Sequence, residues 1–181
     1  MSFLLRPPYT PQECTLLTTM AAVSAAKAIE RATDLKVQIK WVNDIYLIKK
    51  KTGGILTQAH FSKDGKELEW AIVGIGINLC EPVGGFPDEL KEIATAIGNK
   101  NGMLKNRLIS EIVNEFIYYY HNLTKKEFIE EYSKRILGLG EEITVKESGE
   151  EYKGTVIGID NSCRLKIRLY DGSVKILSSA L

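Results

Sequence analysis

The 181-residue sequence predicts an α+β fold with a second, smaller all-β unit at its C-terminal end. Three observations predict it. An alanine-rich helical pattern over residues 9–33 gives way to a run of strands ending near Leu79. Helical periodicity returns between residues 88 and 136. From Gly138 onward the pattern becomes short strands joined by turn signals.

The first helix is "YTPQECTLLTTMAAVSAAKAIERAT". Thr10 suits the N-cap, Pro11 the first turn, and Glu13 completes a T-x-x-E capping box. Leu16, Leu17, Met20, Val23, Ala26 and Ile29 or Ala28 recur at helical spacing, and the abundance of alanine predicts close packing. The period then changes. "KVQIKWV" is a strand. "NDIYLIKKKTGG" holds a turn, a short strand over Ile45–Ile48 and a lysine-glycine turn. "GILTQAHF" is the next strand, "SKDGKE" a hairpin turn with an Asp-Gly signal, and "LEWAIVGIGINL" the longest strand. This order predicts an antiparallel meander entered from a long helix.

"CEPVGGFPDE" is a loop by composition. A short helix is predicted over residues 88–97, a long one over 104–123 and a third over 125–136. Leu104, Leu108, Ile112, Val113, Phe116, Ile117 and Tyr120 mark the inner face of the long helix, and the run Tyr118–Tyr120 reads as helix packing. The final strands, separated by "ESGE", "IDNS" and "YDGS", predict a small barrel or SH3-like module. The boundary falls between Leu137 and Gly140, dividing the chain into residues 1–137 and 138–181.

Composition narrows the function classes. A hydrophobic content of 44% with 26% charged residues is that of a globular domain with a real core. Twenty-four basic and 23 acidic residues leave a net charge of +1, which gives no electrostatic case for nucleic acid. Cys14, Cys80 and Cys163 are scattered and form no CxxC pair, so neither a disulfide framework nor a zinc site is indicated. His60 and His121 read as packing or surface residues. No signal peptide and no membrane-spanning run is read, and a reduced, cytoplasmic setting is expected.

The residues that could carry chemistry cluster in two neighbouring strands. In "WAIVGIGINL", Trp70, Ile72, Gly74, Gly76 and Asn78 share one face, and Ala71, Val73, Ile75, Ile77 and Leu79 share the other. The second face is apolar surface for helices. The first becomes bare backbone at two successive positions and ends in an amide, a floor on which a flat ligand could lie. The alternative is close packing of a helix or ring on the glycines. The spacing is G-x-G-x-N, so the dinucleotide fingerprint is not met. On the preceding strand, Gly54, Leu56, Gln58 and His60 share a face. Lys51 precedes them, placed to reach a phosphate or, alternatively, simply solvated in a turn. Asn43 and Asp44 form either an ordinary turn pair or, through Asp44, a ligand for magnesium.

Taken together, Lys40-Trp41-Val42-Asn43-Asp44, Lys51-Thr52-Gly53-Gly54-Ile55-Leu56 and Gly74-Ile75-Gly76-Ile77-Asn78 resemble the catalytic core of biotin–protein ligases. Lipoate ligases share that fold, but the K-W-x-N-D and G-I-L pieces favour the biotin branch. The resemblance extends over nearly the whole chain. It implies a class II aminoacyl-tRNA-synthetase/biotinyl-protein-ligase-like mixed sheet with helices, plus a C-terminal SH3-like barrel. It also implies biotin and ATP with Mg2+ as ligands and a biotin carboxyl carrier domain as partner. By resemblance, Lys51 contacts the biotin carboxylate and the α-phosphate, and Asp44 and Asn78 serve the metal and phosphates with Asn43 nearby. Gly54, Leu56, Gly74 and Gly76 form the surface under biotin.

The departures from the family pattern carry their own expectations. Ligases of this family have a basic G-R-G-R-x-G-R loop upstream of "LLRPP"; here that segment begins at Leu4, and the first glycine is Gly53. Val42 replaces the usual proline, Gln58 stands where an acidic residue is frequent, and "KILSSAL" stops before the expected Gly-Glu end. Adenylation by this chain alone is therefore expected to be impaired. An exposed sheet edge is expected to make the chain dimerise, bind a separate N-terminal partner, or represent a fragment of a longer protein. No winged-helix unit precedes the core, so no DNA-binding role is expected. The alternatives to a ligase are a non-catalytic module holding biotin, an adenylate or a carrier domain, and a scaffold that keeps the fold for interaction alone.

Overall fold

The structure, a computed structural model, describes residues 1–64, 67–98, 102–147 and 149–178. The predicted first helix is two helices. The capping box forms: the Thr10 N–H and hydroxyl donate to Glu13 at 2.8 and 2.9 Å, and the Glu13 N–H donates back to Thr10 Oγ1 at 3.3 Å. It starts only α1, Pro11–Cys14. The Leu16 N–H then bonds the Glu13 carbonyl at 3.0 Å, a tighter turn that re-aims the chain into α2, Leu17–Thr33. Ala21, Ala22, Ala25, Ala26 and Ala28 are fully buried. Their methyl side chains let α2 lie close to a sheet on one side and to a second long helix on the other.

That sheet has five antiparallel strands: β1 Ser2–Leu5, β2 Gln38–Lys40, β3 Asp44–Leu47, β4 Lys50–Phe61 and β5 Leu68–Ile77. Their order is β1-β5-β4-β3-β2. The meander from β2 to β5 is the predicted one. β1 is an addition that four residues of ambiguous pattern did not announce; it pairs with β5 on the far side, Ser2 opposite Gly74 and Leu5 opposite Ala71. Ala71, Val73 and Ile75 of β5 face the helices and are buried, while Ile72, Gly74 and Gly76 face away from them.

Two local expectations are corrected. The lysine-glycine segment is not a turn. Ile48 and Lys49 make the β3–β4 turn, and Lys51 to Gly54 already lie in β4. The short helix over 88–97 does not form: residues 88–93 are turns closed by bonds from Leu90 and Lys91 to the Pro87 carbonyl. The chain leaves them because β4 claims its backbone. The Lys51 N–H donates to Ile93 at 2.7 Å, and the Thr95 N–H donates to Lys51 at 2.9 Å.

The second long helix, α3, spans Gly102–His121 and packs on α2. Leu108, Ile112 and Phe116 face inward as predicted, but Ile117 is 46% exposed and Glu115 is buried in its stead. The cause is on α2, where Lys27 Nζ lies 2.7 Å from Glu115 and Arg31 also pairs with it. Burial works against the Lys27 charge, but Glu115 and the Tyr119 hydroxyl outweigh it and raise its pKa. Of the three consecutive tyrosines, Tyr119 is buried, whereas Tyr118 is exposed and bonds Glu127. The last helix, α4, spans Phe128–Arg135 and buries Phe128 and Tyr132. Arg135 ties it to α2 through Glu30 at 2.7 Å and to its own Glu131 at 2.6 Å.

After α4 the chain lies along the free edge of β2, with the Leu137 N–H bonded to the Ile39 carbonyl at 2.8 Å. A four-stranded antiparallel sheet follows in the order β6-β7-β8-β9: Glu142–Glu147, Glu150–Ile159, Leu165–Leu169 and Val174–Leu177. Its buried Val156, Leu165, Ile167 and Leu177 belong to the same apolar cluster as α2 and the first sheet. Among the described residues, no helix is long and apolar enough to cross a membrane.

Ile48 and Lys49 both have positive φ, 47° and 63°. A two-residue hairpin turn of that shape favours Asn-Gly, and a β-branched residue there is strained by about 1–2 kcal/mol. The double substitution Ile48→Asn, Lys49→Gly is expected to stabilise the chain by about 1–2 kcal/mol in urea denaturation.

A second prediction concerns acid. Lys134 and then Arg135 hold the Glu131 carboxyl down from 4.5 to about 2. A depressed carboxylate contributes stability above its unfolded pKa and loses it as pH falls through the folded one. Thermal midpoints should therefore fall between about pH 4.5 and pH 2, and Glu131→Gln should flatten that part of the profile.

Candidate functional site

The site is built from the sheet face turned away from α2. The β4–β5 register sets Gly54 opposite Gly76, Leu56 opposite Gly74, Gln58 opposite Ile72 and His60 opposite Trp70. The two faces that the sequence predicts to be glycine-bearing thus lie side by side. His60 and Trp70 stack at the far end, with ring centroids 5.1 Å apart.

The glycines separate into two kinds when a Cβ is imagined on each. At Gly53 it would lie 2.7 Å from the Gly76 carbonyl, so Gly53 is required by the backbone itself. At Gly74 the nearest atom is the Leu56 carbonyl at 3.5 Å, and at Gly76 it is the Gly54 carbonyl at 3.8 Å. The protein would tolerate side chains there. Close packing therefore does not explain Gly74 and Gly76; the space above them is kept clear of the chain's own atoms. Gly54 is intermediate, with Asp44 Oδ1 at 3.1 Å and Lys51 Nζ at 3.6 Å from its imagined Cβ.

Two troughs meet on this floor. One, of about 420 Å³, has Gly54, Leu56, Gly74 and Gly76 at its base, with Asn43 and Asp44 on one side and Met1 and Ser2 on the other. The second, of about 390 Å³, lies between Tyr46, Gly53 and Asn78 and the Leu90–Ala94 segment. Lys51, Gly54 and Gly76 border both. Lys51 therefore stands at the junction, the cationic side chain that borders both troughs among the described residues.

Lys51 Nζ is 2.6 Å from Asp44 Oδ1, and the two side chains are 46% and 24% exposed. A pair so accessible to water is worth about 0.2–1 kcal/mol, little enough for an incoming anion to displace. Asn78 closes the end of β5. Its N–H donates to Thr52 at 2.8 Å and its amide nitrogen to Thr95 at 3.1 Å, while its amide oxygen makes no hydrogen bond among the described residues. Asn43 is committed differently. Its amide donates to the Ile55 carbonyl at 2.7 Å, and the Ile55 N–H returns a bond to the Asn43 carbonyl at 2.9 Å. It braces the turn against β4. Among the described residues, no group of three or more His, Cys, Asp or Glu side chains gathers to hold a metal ion.

The turn before Asp44 holds contacts that the sequence did not reveal. The Trp41 indole N–H donates to the Cys163 carbonyl at 2.8 Å, and the Tyr132 hydroxyl donates to the Val42 carbonyl at 2.9 Å. Those partners lie 122 and 90 residues away, beyond any local pattern. The only hint was Trp41 itself, a large aromatic residue beside a polar turn.

Comparison with known proteins matches the chain in family and in fold. Residues 1–78 match the biotin/lipoate A/B protein ligase family, and residues 138–180 match the biotin protein ligase C-terminal domain. The chain is 35% identical to the bifunctional ligase/repressor BirA of Bacillus spizizenii, over 99% of this chain and 56% of that protein. It thus spans little more than half the length of that relative. Among solved structures, the apo biotin protein ligase of Aquifex aeolicus superposes with a TM-score of 0.77 at 26% identity, over 98% of this chain and 77% of that one. The same ligase in complex with biotin and ATP gives 0.77 at 26% identity, over 99% and 74%.

The division of the glycines is testable by stability alone. Gly74→Ala and Gly76→Ala should leave the unfolding free energy unchanged or raised by about 0.5–1 kcal/mol, since Ala suits a strand interior better than Gly. Gly53→Ala should lower it, because its Cβ would meet backbone. Urea denaturation of the three variants measures both.

Proposed function

Because this chain belongs to the biotin–protein ligase family, we propose that its open sheet face binds biotin and that the adjoining trough takes ATP. We further propose that the chain forms biotinyl-adenylate and passes the biotinyl group to a lysine of a biotin carboxyl carrier domain. The observation that carries this proposal is the uncovered backbone at Gly74 and Gly76 with Lys51 at its margin. Bare backbone accepts a flat ring at van der Waals distance. Leu56, 66% exposed, supplies apolar contact beside it. Asn43, spent on Ile55, acts as a brace for the same wall.

In the proposed reaction a biotin carboxylate oxygen attacks the α-phosphorus of ATP, and the bond to pyrophosphate breaks, its electron pair leaving with pyrophosphate. The carrier lysine amine then attacks the acyl carbon, the bond from that carbon to the phosphate oxygen breaks with its electron pair leaving on AMP, and the amine's proton passes to solvent. The first step brings two anions together. Lys51, at the junction of the two troughs, neutralises both and holds them in line, the positioning and electrostatic task that lowers such barriers. To do so its ammonium turns from Asp44 to the ligands. Among the described residues, the freed Asp44 carboxylate on the first trough and the Asn78 amide oxygen on the second are the groups that would hold Mg2+. Two protein oxygens fit that ion, which usually keeps waters and binds through one or two carboxylates plus substrate phosphates. When bound, Mg2+ supplies charge neutralisation at the phosphates.

The proposal extends to assembly. The biotin trough is open to solvent, and Leu4 on the edge strand beside it is 71% exposed. We infer that a further segment, from a second copy, from a separate partner or from a longer form of this chain, covers the floor. Residues 1–137 are the ligase unit in this proposal, and residues 138–181 an SH3-like appendage with a role in the site.

Calorimetric titration with a non-hydrolysable biotinyl-adenylate analogue in Mg2+ tests the proposal. Saturable 1:1 binding is expected, and Lys51→Ala should weaken it about a hundredfold, as loss of a charge-stabilising donor does. Absence of binding to the intact chain, or an unchanged affinity in Lys51→Ala, overturns it.

A further inference from the structure

We propose that the Asp160–Arg164 turn of the C-terminal sheet is a positioning element of the ligand site, fixing Asp44 through the Trp41 indole, with Tyr132 of α4 as a second tether. The proposal rests on the assignment of Asp44 and Lys51 to the phosphate end of the site.

Three consecutive residues before Asp44 are each held by a different part of the molecule. Trp41 is held by Cys163, Val42 by Tyr132, and Asn43 by Ile55. The indole packs against the apolar core, but not on every side. Trp41 borders a cavity of about 220 Å³ on the side of Thr19 and Ser162, and another of about 360 Å³ on the side of Ile143 and Leu165. With space on two sides, the 2.8 Å bond to the Cys163 carbonyl is what sets the ring's direction.

That carbonyl is itself aimed at some cost. Cys163 has φ +56°, a left-handed conformation uncommon outside glycine. Asp160 maintains it. One carboxylate oxygen accepts from the Ser162 and Arg164 N–H groups at 2.8 and 2.9 Å, the other from Arg164 Nε at 2.7 Å. The Cys163 N–H bonds the Asp160 carbonyl at 2.9 Å. Tyr132 is equally well kept as a donor, because burial raises the pKa of its hydroxyl. Strain in one sheet is thereby converted into the placement of a carboxylate in the other. The floor under biotin comes from β4 and β5, and only the wall of its trough at Asn43 and Asp44 depends on this chain of contacts.

The test compares Trp41→Phe, Tyr132→Phe and Asp160→Ala with the unmodified chain. Tyr132→Phe removes one donor and keeps the ring, whereas Trp41→Phe removes the indole N–H together with its five-membered ring, so Tyr132→Phe and Asp160→Ala carry the comparison. Asp160 bonds to neither Trp41 nor Asp44, so an effect there must travel through the turn. Backbone hydrogen exchange should quicken severalfold in a peptide covering residues 40–46 and stay unchanged in β5. Affinity for the adenylate analogue should fall about tenfold, the size of one net hydrogen bond, and biotin affinity should fall less, because its floor on β4 and β5 is unchanged. Unchanged exchange at 40–46 overturns the proposal, as does an equal loss of both ligands with global destabilisation. Should the unmodified chain bind neither ligand, the ligase assignment falls, and the exchange data alone decide whether the C-terminal turn positions Asp44.

Discussion

In β4 and β5, Gly54 meets Gly76 and Leu56 meets Gly74. Because side chains in a strand alternate, this register carries every other feature of the site. A slip by one residue would bring Ala71, Val73 and Ile75 to the open side and turn the glycines toward α2. The apolar side holds the register. Those three residues are buried under a helix whose alanines leave no room for a misplaced side chain. The bare floor and the close-packed core are two consequences of one pairing.

The alternation also explains where charge is tolerated. Lys51 and Asp44 lie on adjacent strands at the margin of the floor, half in water, where their pairing is weak. The stronger ion pairs lie elsewhere, between helices. Lys27 and Arg31 meet Glu115 across α2 and α3, and Arg135, held by Glu131 of its own helix, meets Glu30 across α2 and α4. Those pairs fix helices. The pair at the floor is loose enough to be exchanged for a ligand.

The meander, its faces and the bare backbone at residues 74 and 76 were legible because period-2 alternation is local. So was the capping box at Thr10. The split after Cys14 was not, since Thr15 and Leu16 fit the helical pattern as well as they fit the turn. The inward Glu115 was not, because its reason lies in Lys27 and Arg31, on another helix. The failed helix at 88–97 has a similar cause. Its local pattern is helical, but the Lys51 backbone captures Ile93 and Thr95. Of the candidate residues, Asn43, Asp44, Lys51, Gly54, Leu56, Gly74 and Gly76 line one trough in the structure. Asn78 borders the neighbouring trough. The tethers at Trp41 and Val42 were invisible, because their partners are a main-chain carbonyl and a tyrosine far along the chain.

Those distant tethers have a consequence for the order in which the molecule is made. The floor is complete once β5 has been synthesised, since β1, β4 and β5 are all within the first 77 residues. The turn that presents Asp44 must wait for Tyr132 and then for Cys163. Contacts of such long sequence separation form late, after the entropy of closing a large loop has been overcome. In a nascent chain the bare glycine floor of β4 and β5 can therefore be in place well before the turn ahead of Asp44 gains its distant hydrogen bonds.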